Sequence, residues 1–385
     1  MRSKEYKNNE QYPKKWVGCS IEADYFGDDR KMSKAERKMA MAKDRSKYKK
    51  TDQKKESNQP QKELIENENL EKGRVLSIAS QGIVVESQGK TLNCTLRGVL
   101  KKDKTQSKNL VVVGDYVLFT RSGEGEGLIA QVETRRTVLS RAENLSRRKE
   151  QLIAANIDQV LITVSVVSPE LKAPLIDRYI IATLKGGMDP IIVVNKIDLL
   201  TAPDQDAAIQ ENDREIYEEL LVAYQAAGIR VISVSVETGE GIDLLKEVMK
   251  DKSSVFSGQS GVGKSSLINA VTGQNLRIGA MVGKTNKGSH TTTMAHLIPL
   301  EFGGWCIDTP GIKSFGVWDL DKEEIENYFP EIFSCGNACR FPDCSHLHEV
   351  GCVVKDAVEQ GKISWLRYQS YQMLRQSAAE DHHRR

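Results

Sequence analysis

The stretch GQSGVGKS at residues 258–265 constrains the fold more than any other part of the chain. It satisfies the phosphate-loop pattern G-x-x-x-x-G-K-[ST], with the strand-like run SSVF before it and the helix-like run SLINAVT after it. In such a loop, glycines let backbone N–H groups surround phosphate oxygens at the N-terminus of a helix. A glycine-rich turn alone would be weak evidence, but the whole pattern in this context predicts an α/β nucleotide-binding domain.

The two polar side chains that end this loop have predicted roles in phosphate and magnesium binding. Lys264 should reach the β and γ phosphates, and the Ser265 hydroxyl should coordinate Mg²⁺. The residues expected to contact the phosphates are Gly258, Gln259, Ser260, Gly261, Val262, Gly263, Lys264, Ser265, Ser266 and Gly311.

The tetrapeptide DTPG follows downstream, at the end of a predicted strand. Asp308 is expected to hold the magnesium shell there, and the Gly311 N–H is expected to face the γ phosphate. An isolated DTPG could be a simple turn, but its position after a phosphate loop favours the nucleotide role. The polar stretch VGKTNKGSHTTTM between the two motifs predicts a switch loop, in which Thr292, or failing that Thr293, gives a second hydroxyl to Mg²⁺.

A base-recognition motif, NKID, stands upstream of the phosphate loop at the end of the apolar run IIVV. Asn195 can bond the N7/O6 edge of a purine, and the stem of Lys196 can cover the ring. The Asp198 carboxylate can accept from both a ring N–H and an exocyclic amine. Only guanine offers that donor pair to one carboxylate, so the motif predicts GTP rather than ATP. A later run ends in SVSVETGEG, where the backbone N–H groups of Ser235 and Val236 are expected to contact guanine O6.

Four of the seven cysteines lie in one short stretch near the C-terminus, beside two histidines. Three thiolates and one imidazole at this spacing predict one closed, structural Zn²⁺ site. The expected ligands are Cys339, Cys344, His346 and Cys352. Unrelated cytosolic thiols are the alternative. Cys335 and His348 are left over, although His348 could replace His346.

The composition divides the chain into four regions. Residues 1–70 are polar, and residues 1–62 carry 18 basic against 10 acidic residues, which predicts a basic and largely disordered arm. Residues 71–142 contain about five short β-branched runs, which predict an OB-type β-barrel. Residues 150–318 alternate between strand-like and helix-like runs, as an α/β domain does. Residues 319–385 are predicted to form a mostly helical zinc-binding module with a C-terminal helix.

Local patterns give more detailed expectations inside the α/β region. Helical spacing is predicted over residues 175–185, 213–227 and 242–249. The run HLIPLEFGGWCIDTPG predicts a hairpin that turns at Gly303 and Gly304.

The chain has no feature that predicts a membrane location. No window approaches the roughly 18 uninterrupted apolar residues of a membrane helix, and the charged N-terminus lacks the apolar run of a secretory signal. We therefore expect a cytoplasmic protein without a membrane partner. Small barrels serve either as nucleic-acid-binding or as protein-contact modules, and fold analogy favours nucleic acid here.

The order of the motifs is N-K-x-D, S-x-x-T-G, G-x-x-x-x-G-K-S, H-T-T-T and D-T-P-G, with the base motif before the phosphate motif. This order resembles the circularly permuted GTPases, and most of all the RsgA (YjeQ) family of small ribosomal subunit biogenesis GTPases. The similarity extends over roughly residues 70–380 and includes the barrel and the zinc module. It implies a circularly permuted Ras-like P-loop domain, whose neighbouring ends allow the chain to be cut and rejoined elsewhere.

The resemblance also implies an activity and partners. A monomeric GTP hydrolase would bind GTP/GDP with Mg²⁺, carry one structural Zn²⁺, and bind the small ribosomal subunit and its rRNA. Stimulated by that subunit, it would use GTP binding and hydrolysis to time a late maturation step and its own release. Two alternatives remain: a nucleotide-gated RNA- or ribosome-binding module with negligible turnover, and a GTPase acting on a protein or membrane partner.

The residue that would activate water differs from the common GTPase pattern. Many GTPases have a Gln just after D-x-x-G, but this chain has Ile312, which cannot orient water. His290, in SHTTT, matches the histidine that the family is thought to use instead, and it is the expected catalytic residue together with Lys264. The alternative is that His290 is a solvent-exposed loop residue.

Overall fold

The computed structural model describes residues 70–79, 82–97, 110–143, 146–201, 206–273, 295–308 and 322–383. All of them belong to the second of two compact units, Thr51–Arg385. The first unit, Met1–Lys50, and with it most of the predicted basic arm, lies outside the described residues.

Five strands form a closed barrel at the start of the described chain. They are β1 (Glu71–Ala79), β2 (Gly82–Ser87), β3 (Lys90–Leu96), β4 (Tyr116–Gly123) and β5 (Glu126–Val132). The strands pair in the order β1-β2-β3-β5-β4, β4 returns to pair with β1, and β3 runs parallel to β5. Buried residues alternate with more exposed ones along β2, β3, β4 and β5, and Val75, Val85 and Phe119 are fully buried at the centre. The OB-type prediction is confirmed.

A hairpin connects the barrel to the α/β region. Strands β6 (Val138–Glu143) and β7 (Ser146–Ala155) form a separate two-stranded sheet. The sequence did not predict β7, because its first half, SRRKEQ, is charged and shows no apolar alternation.

The α/β region is built on six further strands. They are β8 (Gln159–Val164), β9 (Asp189–Val194), β10 (Arg230–Ser233), β11 (Ser253–Ser257), β12 (His296–Pro299) and β13 (Trp305–Asp308). They lie in the order β10-β9-β8-β11-β13-β12, and every neighbouring pair is parallel except β13 with β12. This is the sheet of a Ras-like domain, except that β11, which leads into the phosphate loop, follows three strands that would otherwise come after it. The predicted circular permutation is confirmed.

Four helices accompany this sheet. They are α1 (Ala173–Lys185), α2 (Ala207–Ala226), α3 (Ile242–Met249) and α4 (Lys264–Thr272), with a 3₁₀ turn, η1 (Ile197–Thr201). Helix α3 has the predicted bounds, whereas α2 begins earlier than predicted. The Asp206 carboxylate caps α2 by accepting from the Ala208 N–H at 2.8 Å, and this cap starts the helix ahead of its first buried apolar side chain, Leu220.

The predicted hairpin between β12 and β13 is also confirmed. Gly303 and Gly304 have φ values of 93° and 88°, in the left-handed region that favours glycine. The Leu300 N–H donates to the Gly304 carbonyl oxygen at 3.1 Å and closes the turn.

One buried arginine joins the barrel to the α/β region. Arg74 of β1 is 6% exposed, and its guanidinium donates to the Asn156 carbonyl oxygen at 3.1 Å and to Ser253 Oγ at 2.8 Å. The same group lies 5.2 Å from the ring centroid of Tyr116 and 5.3 Å from that of Trp305. Strand β1 also pairs with β12, so barrel and α/β region share one 11-stranded sheet.

The C-terminal region is mostly helical, as predicted. It contains the 3₁₀ turn η2 (Ile325–Tyr328) and helices α5 (Pro330–Gly336), α6 (Val353–Glu359) and α7 (Trp365–His383). Ile325, Phe329, Ile332 and Tyr371 are fully buried in its core, and Ile181 of α1 belongs to the same cluster. No helix in the described ranges is long and apolar enough to cross a membrane.

Candidate functional site

The phosphate loop runs from the end of β11 to the start of α4 and has a backbone that requires glycine. The φ values of Gly258, Gly261 and Gly263 are 142°, 87° and 94°. A Cβ at Gly258 would lie 2.1 Å from the Thr163 carbonyl oxygen, and a Cβ at Gly263 would lie 2.3 Å from Asn195 Nδ2. Strain and crowding therefore exclude other side chains, and the N-terminus of α4 opens directly from this loop.

The Lys264 ammonium is held inside the loop. Its Nζ donates to the carbonyl oxygens of Gly258 and Gln259, both at 2.7 Å. Burial lowers the pKa of Lys264 from 10.5 to about 8, because desolvation penalises the charged form. Phosphate oxygens placed here would favour the ammonium again, so the loop fits an anionic ligand.

Strand β13 ends beside this loop. It runs parallel to β11, with Ile307 opposite Val255, so Asp308 stands at the same carboxyl edge of the sheet that carries the phosphate loop. This placement comes from the backbone. Four other residues with expected roles, His290, Thr292, Thr293 and Gly311, lie outside the described residues.

The base motif reaches the phosphate loop from the end of β9. Asn195 is 3% exposed, and its Nδ2 donates to the Val262 carbonyl oxygen at 2.8 Å. Lys196 Nζ donates to the carbonyl oxygens of Gly261 at 2.7 Å and Ser168 at 2.8 Å. The two motifs therefore meet in space although their order along the chain is reversed.

Asp198 is positioned by Ser235, which lies in the second guanine-recognition stretch, SVSVETGEG. The Ser235 hydroxyl donates to Asp198 Oδ1, and it also accepts from the Thr238 N–H at 3.2 Å. The Ser235 backbone N–H donates to the Glu240 carbonyl oxygen at 2.9 Å. Ser235 thus supports the Asp198 carboxylate with its side chain and uses its own N–H within the turn, and Val236 is the next residue along the chain.

Four side chains of the C-terminal region form a compact cluster. One ligand atom from each of Cys339, Cys344, His346 and Cys352 lies within 4.8 Å of the others. His346 Nδ1 is 3.3 Å from Cys352 Sγ and 3.7 Å from Cys339 Sγ, and the sulfurs of Cys339 and Cys352 are 3.9 Å apart. Tetrahedral zinc, with Zn–S bonds of about 2.3 Å, needs sulfurs about 3.8 Å apart, so the cluster fits this ion.

The cluster distinguishes between the alternatives left by the sequence. His346 is buried and belongs to the cluster, whereas His348 is exposed and lies outside it. Cys335 is also outside, with its sulfur 3.6 Å from the Val353 carbonyl oxygen. Burial raises the pKa of the Cys344 thiol to about 12, so a bound cation would be needed to keep it a thiolate.

Comparison with known proteins identifies the family of the chain. The chain matches the family RsgA GTPase over residues 132–318 and the RsgA N-terminal domain over residues 72–129. It is 36% identical over 303 residues to the small ribosomal subunit biogenesis GTPase RsgA of Bacteroides fragilis, covering 78% of this chain and 94% of that protein. The protein of the same name from Chlorobaculum tepidum is 40% identical over 319 residues, 80% of this chain and 98% of that one. The chain belongs to the RsgA family of GTPases.

Solved RsgA-family structures share the fold. The crystal structure of YjeQ from Thermotoga maritima matches with a TM-score of 0.63 and 33% identity, over 80% of this chain and 99% of that one. YloQ, described as a circularly permuted GTPase, matches with a TM-score of 0.61 and 28% identity, over 81% of this chain and 96% of that one. This RsgA-family chain is therefore a circularly permuted GTPase.

Sequence reasoning missed a buried charge cluster between the GTPase domain and the C-terminal region. Arg367 of α7 is 2% exposed and pairs with Asp177 of α1 and, through Nε at 2.7 Å, with Glu331 of α5. Its guanidinium lies 4.2 Å from the Phe329 ring centroid and 5.2 Å from that of Tyr224. Although burial opposes the charged form, the two carboxylates raise the pKa of Arg367 above its ordinary value.

Sequence reasoning also missed a carboxylate that organises the metal-binding loop. Glu349 accepts from the Ser345 N–H at 2.8 Å, from Ser345 Oγ at 2.6 Å and from the Leu347 N–H at 3.1 Å. Burial alone would raise the pKa of Glu349, but hydrogen bonds from the Ser345 side chain and from nearby backbone N–H groups lower it to about 2. The signal that could have revealed this role is the position of Glu349 in the short stretch between His346 and Cys352.

Proposed function

We propose that this RsgA-family GTPase acts in biogenesis of the small ribosomal subunit. It binds that subunit, and GTP binding and hydrolysis time a late maturation step and the release of the protein. The observation that carries the nucleotide part is the contact of Asn195 Nδ2 and Lys196 Nζ with the phosphate loop, which builds one guanine nucleotide site from two motifs. The ribosomal part rests on the names of the relatives.

In this site the phosphates of GTP occupy the loop at the N-terminus of α4, with Lys264 turned from the loop carbonyls to the β and γ phosphates. Asn195, Lys196 and Asp198 bind guanine. Because the Ser235 N–H already serves the Glu240 carbonyl, we assign the backbone contact with guanine O6 to Val236 and the orientation of Asp198 to Ser235. The hydroxyl of Ser265, the carboxylate of Asp308 and Thr292 are the proposed protein ligands of Mg²⁺.

Hydrolysis is assigned to His290, which is to position or deprotonate the attacking water. The experiment that tests this assignment compares turnover by the His290→Ala variant with its affinity for GTP. A catalytic role predicts that turnover is lost while affinity is kept, since the residue would act on water and not on the nucleotide. Equal turnover by both proteins would refute the assignment.

The Cys₃His cluster is proposed to hold one structural Zn²⁺ through Cys339, Cys344, His346 and Cys352. Support comes from the donor set and from the separation of the ligand atoms within 4.8 Å. Four protein ligands complete a tetrahedral shell, so the ion would stabilise the module and take no part in hydrolysis.

The chain between Asp308 and η2 is proposed to carry the nucleotide state to this module, because in the sequence it directly links the end of β13 to the first turn of the module. A flexible linker inserted after Trp318 should then abolish stimulation of turnover by the subunit. Unchanged stimulation would show that the segment is a passive connection.

The barrel, the zinc module and the basic arm are proposed to bind rRNA. Contacts with RNA phosphates would supply salt-dependent affinity, and recognition of the RNA's shape would supply the selectivity. With the ribosome as its partner, the protein would act in the cytoplasm as a monomer.

The deciding experiment measures GTP turnover by the purified protein alone, with small subunits and with large subunits, at matched salt. Selective stimulation by small subunits supports the proposal. Stimulation by neither subunit refutes the ribosomal part, while GTP affinity in the same samples tests the nucleotide site separately. Because Ile312 replaces the common Gln, a binding module with negligible turnover is the second candidate, and subunit binding that depends on GTP without turnover would favour it.

A further inference from the structure

The imidazole of His346 has a carboxylate on the side that faces away from the cysteine sulfurs. Its Nδ1 faces Cys352 and Cys339, at 3.3 and 3.7 Å, while its Nε2 lies 3.2 Å from Oε1 of Glu326 on η2. The His346 side chain is 1% exposed and that of Glu326 is 21% exposed. Both ring nitrogens therefore have partners inside the folded module.

We propose that Glu326 is the positioning residue of the metal site. Its carboxylate accepts the proton of Nε2–H, which fixes the imidazole tautomer with the Nδ1 lone pair directed at the metal and makes that nitrogen a stronger donor. This inference rests on the proposed zinc site, and it adds to that site a residue that the spacing of cysteines and histidines does not reveal.

The surroundings hold the pair in this arrangement. The His346 backbone is in the left-handed region, with φ 59°, and its carbonyl oxygen accepts from the Tyr368 hydroxyl at 2.7 Å. A Cβ at Gly336 would lie 2.7 Å from Glu326 Oε1 and 2.9 Å from His346 Nε2, so the neighbouring backbone packs directly against both groups. Arg375 Nη1 lies 4.0 Å from the other carboxylate oxygen of Glu326.

The position of Glu326 in the chain gives the contact a wider effect. Turn η2 is the first described element after β13, which ends at Asp308 in the nucleotide site. Two residues before Glu326, Glu324 pairs with Lys185 of α1 at 2.9 Å. The same short segment therefore touches the GTPase domain with one glutamate and the metal site with another.

The test is a chelator competition on the full-length, zinc-loaded protein. We expect Glu326→Ala to lower the affinity for Zn²⁺ by about 10- to 100-fold. Glu326→Gln should lose less of the affinity for Zn²⁺, because its amide oxygen can still accept a hydrogen bond from Nε2–H of His346. Glu324→Gln is the matched control on the same segment, and it should bind zinc like the wild type because its ion pair is exposed and faces α1.

Two results would overturn the inference. Zinc affinity of Glu326→Ala equal to that of the control would remove the role of Glu326 while leaving the zinc site standing. A wild-type protein that holds no zinc would overturn the metal site itself, and this inference with it.

A second measurement needs no variant and is independent of folding effects. In zinc-loaded wild-type protein labelled with ¹⁵N-histidine, NMR should find His346 with the proton on Nε2 and the metal on Nδ1. The opposite tautomer would refute the proposal. A changed visible spectrum of the Co²⁺-substituted Glu326→Gln variant, relative to wild type, would support an effect on the metal centre beyond general stability.

Discussion

Arg367 offers a direct test of how the C-terminal region is joined to the GTPase domain. It is 2% exposed and holds together Asp177 of α1 and Glu331 of α5. Replacing it with Met keeps much of the side-chain volume between the rings of Phe329 and Tyr224 but removes the charge. Asp177, whose side chain is 1% exposed, would then be a buried carboxylate without a cation beside it.

The expected loss is large relative to the stability of a typical protein. Removing one member of a buried ion pair costs about 3–5 kcal/mol, against a usual free energy of unfolding of about 5–15 kcal/mol. With a urea m-value of about 3 kcal/mol/M, the unfolding midpoint should fall by about 1–1.7 M. Glu331→Gln should lower the free energy of unfolding by less, because Glu331 is 18% exposed and water can solvate the side of the Arg367 guanidinium that loses its partner.

The assay is urea unfolding of the zinc-loaded protein, followed by circular dichroism, in a double-mutant cycle with Asp177→Asn. If the uncompensated carboxylate is the cause, Asp177→Asn should destabilise the wild type but restore part of the stability lost in Arg367→Met. A loss below about 1 kcal/mol in Arg367→Met, or an equal effect of Asp177→Asn in both backgrounds, would refute the reasoning.

Three further predictions concern the nucleotide site. Asp198→Asn should weaken GTP binding by about 100-fold or more, because two hydrogen bonds to a charged acceptor are lost. The same variant should bind xanthosine triphosphate better relative to GTP, and competition with a fluorescent nucleotide measures both affinities. Gly258→Ala should abolish GTP binding in the same assay, because its Cβ would meet the Thr163 carbonyl. GTP affinity should fall by up to about tenfold per pH unit above pH 8, because Lys264 must regain its proton to hold the phosphates.

The sign of the pH effect can be checked on the nucleotide-free protein. The pKa of Lys264 is about 8 in the folded state and 10.5 as the ordinary value, so the unfolded state binds more protons between these pH values. The Lys264 contribution to stability should therefore rise with pH across this window, and a Lys264→Met variant should lack the effect. Proton release on GTP binding at about pH 8.5, detected by calorimetry in two buffers, would contradict this pH prediction.

Gly228→Ala is the matched control for Gly258→Ala, and it should keep GTP binding. A control that lost GTP as fully as Gly258→Ala would contradict the steric explanation. Nothing lies within 4 Å of the Cβ added at Gly228, although its φ of 76° makes that control mildly strained.

The parts of the fold that the sequence predicted are those whose chemistry is local. The phosphate loop needs glycines at fixed positions because its backbone has positive φ, and this requirement is visible in one short stretch. The four side chains of the Cys₃His cluster are similarly close together along the chain, so their spacing alone predicted the set, and the structure places the buried His346 in it rather than the exposed His348.

The parts that the sequence did not predict depend on which elements pack together. Arg367 and Asp177 are 190 positions apart, and each looks like an ordinary surface residue of its helix until the helices are placed in contact. Glu326 gives no signal for the same reason, because its partner His346 lies on a different segment. Strand β7 was not predicted because its residues SRRKEQ are polar or charged and show no apolar alternation.

The pairing of β1 with β12 has a consequence for solubility. In the α/β sheet, β12 would be an outer strand, with unpaired N–H and C=O groups facing solvent, and such edges invite pairing with another chain. Strand β1 of the barrel pairs with that edge at Ser77 and His296, while the opposite edge is formed by β10, which is only four residues long. The barrel thus occupies a sheet edge at which the GTPase region would otherwise expose free backbone groups.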